Sequence, residues 1–97
     1  MKTVYLDCRE LAIGFDAARR LADRAAEGVL DEPLLLSWYD RDRDLEAPGH
    51  VNECHAGCET PGYVDYAANR GGQLRVDVDG GRFVFCYRPL AEFADAG

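Results

Sequence analysis

No stretch of the chain is apolar for long enough to cross a bilayer, which takes about 20 residues in a helix. Near the start, Asp7, Arg9 and Glu10 break up any run that a secretory signal requires, so the protein is expected to be cytoplasmic, without a membrane partner. Basic residues are scarce: 11 Lys and Arg stand against 18 Asp and Glu, a formal charge of -7. That balance opposes attraction to phosphate backbones or anionic lipid, and no nucleic-acid partner is expected. Phosphate loops are missing too, because Gly71-Gly72 and Gly80-Gly81 lack the strand-loop-helix setting and the lysine. There is no internal repeat, and 97 residues leave no room for a second domain, so residues 1–97 read as one unit. A chain of that size buries roughly two-thirds of its unfolded surface and folds without staples. The four cysteines, in a chain without an export signal, are expected as reduced thiols.

What the chain does have is a strongly written hairpin from Gln73 to Tyr87. Leu74, Val76 and Val78 alternate with Gln73, Arg75, Asp77 and Asp79, the period-2 pattern of a strand with one buried face. With Gly80 and Gly81 as the two loop residues of a primed turn, Asp79 faces Arg82. This register sets Val78 opposite Phe83, Val76 opposite Phe85 and Leu74 opposite Tyr87, and turns Val84 and Cys86 the other way with Arg75 and Asp77.

Upstream, residues 3 to 8 alternate as a first strand with Val4, Leu6 and Cys8 inward. Phe15, Ala18, Ala22, Ala25 and Val29, with Leu21 beside them, form an amphipathic stripe over Phe15 to Glu27, and Gly28 is placed to close it in the left-handed region. After Asp31-Glu32-Pro33, the run from Leu34 to Tyr39 has strand length, with Leu34, Leu36 and Trp38 on one face and Leu35, Ser37 and Tyr39 on the other. Residues 40–62 lose periodicity and read as a long loop. A second helix over Tyr63 to Arg70, with Thr60 able to cap it, stops at Gly71-Gly72, and residues 88–97 read as a frayed tail. The expected fold is α+β: a two-layer, mostly antiparallel four-stranded sheet with both helices on one face, in the order β-α-β-α-β-β. Its outer face, carrying Tyr5, Val84 and Cys86 among charges, then offers a surface for a homodimer or another partner protein.

Chemistry concentrates in three places. His50, Cys54, His55 and Cys58 offer the N and S ligands that zinc prefers, although Cys54 and Cys58 are separated by three residues and no second pair follows. The same segment supplies a thiol reading, with Cys54 or Cys58 as nucleophile, a histidine as base and Glu53 as orienter, although Glu53, Glu59 and Asp65 oppose a thiolate. Asp40-Arg41-Asp42-Arg43-Asp44-Leu45-Glu46 opens like a calcium loop but has Leu45 where glycine belongs and Val51 where the bidentate glutamate belongs. It therefore reads as a self-paired, solvated turn. Trp38, Tyr39, Tyr63 and Arg70 are the candidate ligand-binding residues. If they converge, they form an amphipathic pocket with one cation, suited to a small anionic or aromatic ligand, whereas aromatics at helical spacing otherwise pack as core.

The segment from Pro33 to Tyr87 resembles a small uncharacterised family of archaeal and bacterial proteins, a domain of unknown function. The resemblance rests on Leu35-Leu36-Ser37-Trp38-Tyr39-Asp40, Glu53-Cys54, Pro61-Gly62-Tyr63 through Tyr66, Arg70-Gly71-Gly72 and the Asp77 to Tyr87 hairpin. It implies an α+β domain with no established activity and no catalytic residue to carry over. The expectation is therefore a small binding or self-associating domain that needs no cofactor, with no enzymatic activity established by the sequence. The alternative is a zinc-binding or thiol-reactive protein centred on His50, Cys54, His55 and Cys58.

Overall fold

The hairpin is the centre of the sheet. The computed structural model describes residues 1–49 and 62–90, and within them the chain runs β1 (Lys2–Leu6), α1 (Phe15–Glu27), β2 (Pro33–Asp40), β3 (Leu45–Ala47), α2 (Gly62–Ala68), β4 (Leu74–Val78) and β5 (Phe83–Pro89). A 3₁₀ turn over Arg9–Leu11 lies between β1 and α1. The strand order is β1-β4-β5-β2-β3, with β1 parallel to β4 and the other three pairings antiparallel. The α+β class and the mostly antiparallel sheet stand; the sheet has five strands where four were expected. The extra one, β3, is three residues within the expected 40–62 loop, too short to show alternation. At the other end, β5 runs on through Arg88 and Pro89, where the sequence reads as the start of a tail.

Leu74 pairs with Tyr87, Val76 with Phe85 and Val78 with Phe83, the register that alternation and turn chemistry require. The turn differs in one respect. Asp79 leaves the strand with φ of 52°, followed by Gly80 at 65° and Gly81 at 92°, so three residues occupy the left-handed region. Aspartate tolerates that region better than most side chains. Here it also gains partners, because its carboxylate accepts the Cys8 N–H at 2.6 Å and its own N–H donates to the Leu6 carbonyl at 2.9 Å. The hairpin tip is thereby tied to the end of β1.

One face of the sheet carries Leu74, Val76, Val78, Phe83, Phe85 and Tyr87, all buried beneath Ala18, Ala22 and Ala26 of α1. Alanines at the contact let the helix approach the sheet closely, and Phe15 fills the gap toward Trp38 and Phe85. The buried row turns through Ala26, which leaves Leu21 and Val29 exposed. Gly28 ends the helix at φ -78°, in the right-handed region, with its N–H directed to the Ala25 and Ala26 carbonyls.

The second helix corrects the layer count. Tyr63 and Ala67 of α2 bury Val84 and Cys86, which point away from α1, so the two helices lie on opposite faces of the sheet. The physical reason is legible in β5, where all five residues from Phe83 to Tyr87 are buried. A strand apolar on both sides needs cover on both sides. The outer face that the sequence offers for self-association is therefore closed over Val84 and Cys86, while Tyr5 on β1 stays exposed. Among the described residues, no helix is long and apolar enough to cross a membrane.

Candidate functional site

A bulge in β2 decides which side chains meet α2. Leu35 pairs with Tyr87 and Ser37 with Cys86, leaving Leu36 as the extra residue between them. Strict alternation therefore fails here: Leu35 joins Trp38 under α1, and Leu36 joins Ser37 and Tyr39 under α2. Ser37 Oγ, fully buried, donates to the Tyr63 carbonyl at 2.7 Å and fixes the first turn of α2 on the sheet. The Tyr39 and Tyr63 rings then stack, with centroids 5.3 Å apart and planes 7° from parallel.

The turn after β2 supplies the rest of the site. Asp40, buried on the α1 side, accepts the N–H of Asp42 at 3.0 Å and pairs with Arg43, while Asp42 is held by Arg82 at 2.6 Å. These are the self-paired charges expected for the turn, and the Arg82 hydrogen bonds hold the Asp42 carboxyl below its ordinary value. Asp44, at φ 50°, is delivered beside Tyr39, whose hydroxyl donates to Asp44 Oδ1 in a long contact of 3.4 Å. Glu46 stands directly opposite Tyr39 in the β2–β3 register and so shares its face. Tyr39, Asp44, Glu46, Gly62 and Tyr63 together line a cavity of about 380 Å³. Burial is the main cause that raises both phenols, Tyr63 up to about 12; for Tyr39 the nearby Asp44 adds to it and Arg41 opposes it. Both rings are therefore neutral, with intact hydroxyls, across the physiological range.

Of the four residues singled out for ligand binding, two come together. Trp38 lies on the opposite face of the sheet, its ring 4.6 Å from Phe15. Arg70 sits over the ring of Tyr66 at 3.6 Å and donates to the Tyr66 carbonyl at 3.1 Å; it does not line the cavity. Among the described residues the lining thus holds two carboxylates where the sequence suggests a cation. Asp44 and Glu46 read in the sequence as part of a self-paired turn, but the pairing is made by Asp40 with Arg43 and Asp42 with Arg82.

His50, Cys54, His55 and Cys58 lie outside the described residues. Cys8 and Cys86 are buried free thiols on opposite faces of the sheet, and burial pushes both upward in pKa. Among the described residues, no group of three His, Cys, Asp or Glu side chains is placed to hold a metal ion.

The family model of a domain of unknown function, DUF5619, matches residues 1–87. The likeness read from Pro33 to Tyr87 therefore extends back over β1 and α1. Among solved structures, the chain is similar to the crystal structure of AF1514, described as a novel protein, from Archeoglobus fulgidus DSM 4304. The two are 26% identical, with a TM-score of 0.71 over 92% of this chain and 94% of that one. No curated protein matches the chain.

Proposed function

The chain belongs to the DUF5619 family, and from the corner between β2, β3 and α2 we propose that it is a binding domain for a small organic cation, a primary or quaternary ammonium. One juxtaposition supports the reading: two stacked tyrosine rings share a cavity with Asp44 and Glu46, and among the described residues no basic side chain lines it. Aromatic faces attract ammonium groups through their quadrupole, by about 0.5–2 kcal/mol depending on desolvation. Carboxylates beside them add direct attraction and exclude anions. Arg41, which opposes the rise at Tyr39, is exposed on the turn and only partly offsets this field. A cavity this small and open points to millimolar affinity, about -4 kcal/mol.

The test is a titration of the full chain with tetramethylammonium, followed through the ring protons of Tyr39 and Tyr63, beside a neutral alcohol of the same shape. The expected result is saturable shifts with the cation, weaker binding in Asp44→Asn/Glu46→Gln and in Tyr39→Ala, and no response to the alcohol. Equal response to both compounds, or shifts that ignore the substitutions, would contradict the assignment.

A further inference from the structure

A second surface lies elsewhere, on the outer edge of β2, and its evidence is independent of the tyrosine corner. All of β2 from Pro33 to Asp40 pairs with β5, apart from the bulge, whereas β3 pairs only with Trp38, Tyr39 and Asp40. Among the described residues, the outer edge of Pro33–Ser37 therefore has no strand beside it. Sheet edges are templates for a further strand, and proteins usually blunt them with charged side chains, above all lysine. The other edge of this sheet follows that custom with Lys2 on β1. Pro33-Leu34-Leu35-Leu36-Ser37 carries no charge at all. Pro33 and the bulge at Leu36 limit how far pairing can run, so the edge suits a segment of a few residues.

That edge borders a groove of about 920 Å³ between α1 and β2. Leu35, Leu36 and Ala47 contribute apolar surface, and Asp23, Glu27, Asp31 and Glu32 stand around it, with Arg19 as the lone cation among the described residues. Asp23 is engaged, accepting the Tyr87 hydroxyl at 2.7 Å with Arg19 at 3.8 Å. Glu27, Asp31 and Glu32 have no ion-pair partner among the described residues. Four carboxylates against one guanidinium, in a chain of charge -7, repel a second copy of the protein and attract a positive segment. From the open edge and this charge we infer that β2 binds a short, extended, cationic segment of a partner protein by strand addition. Backbone hydrogen bonds to Leu34–Ser37 supply the pairing, and alternate lysines or arginines face the acidic rim.

The experiment titrates the full, isotope-labelled chain with a blocked six-residue peptide alternating lysine and valine. Its partners are the matched glutamate–valine peptide and the lysine–valine peptide N-methylated at every residue. The expected result is shifts and slowed hydrogen exchange at the Leu34–Ser37 amides with the lysine peptide alone. Asp31→Asn/Glu32→Gln, both exposed positions, is expected to weaken binding about fivefold with an unchanged melting temperature. Three results overturn the inference: no response of these amides at millimolar peptide, equal binding of the glutamate or N-methylated peptide, or a dimer whose Leu34–Ser37 amides are already protected without peptide. The last gives the edge to a second copy. Tetramethylammonium shifts at Tyr39 are read separately, so each site stands or fails alone.

Discussion

The two faces of the sheet are built on different plans. Beneath α1, ten buried residues form one continuous cluster in which three alanines meet aliphatic and aromatic side chains. Beneath α2, the described residues give four, and around them stand Ser37, the stacked tyrosines and two carboxylates. Apolar area removed from water scales with stability at about 25 cal/mol per Å², so among the described residues the α1 face makes the larger apolar contribution. The α2 face spends its area on a polar corner that a minimal core does not need. The difference teaches that the features most readily sacrificed for stability, Tyr39 with Asp44 and Glu46, are the ones to examine for recognition.

Substitutions at the centre of the α1 face break this contrast most strongly. Phe85 is fully buried with Phe15 5.6 Å away, and Phe85→Ala is expected to cost about 3–5 kcal/mol in chemical denaturation. On the α2 face the smaller Val84→Ala is expected to cost about 1–3 kcal/mol.

Alkali comes next. Burial lifts Tyr63 to about 12 from an ordinary 10.0. The folded protein thus keeps neutral a phenol that the unfolded chain ionises, and the stabilisation is complete below pH 10 and lost as pH rises toward 12. Roughly 3 kcal/mol is at stake. Tyr87, raised by burial and by its bond to Asp23, acts in the same direction. Denaturant melts across this range, read with phenolate absorbance, are expected to show stability falling before either ring ionises in the native state. Ionisation of Tyr63 in the folded protein near pH 10 contradicts its burial between α2 and the sheet.

A smaller effect is expected at the hairpin tip. Asp79→Ala removes the acceptor of the Cys8 N–H and places a Cβ-bearing residue without a local hydrogen bond at φ 52°. The expected loss is about 2 kcal/mol or less by thermal denaturation, with Asp79→Gly recovering the backbone part but not the hydrogen bond.

The hairpin register and the bounds of α1 were readable because every local signal agreed: alternation, turn glycines and a three-to-four spacing of alanines. The misplaced features share a cause, for each depends on a contact distant in sequence. One extra residue at Leu36 flips the faces of β2, and nothing in Leu-Leu-Leu announces it. The side chosen by α2 follows from Val84 and Cys86, which lie beyond β4 in the sequence, yet the unbroken apolar run of β5 already demanded two covered faces. Arg70 turned from the site because Tyr66, one helical turn earlier, offered both a ring and a carbonyl. Only Tyr39 and Tyr63 were legible as a pair, and the charge around them was not.

The division of labour between the faces is tested most directly by measuring the melting temperature and tetramethylammonium affinity of one variant, Asp44→Asn/Glu46→Gln. Exposed or half-buried carboxylates contribute within about 0.5 kcal/mol to stability, so the account requires an unchanged melt together with a clear loss of binding. A variant that melts far lower, or that binds the cation as well as the parent, contradicts it.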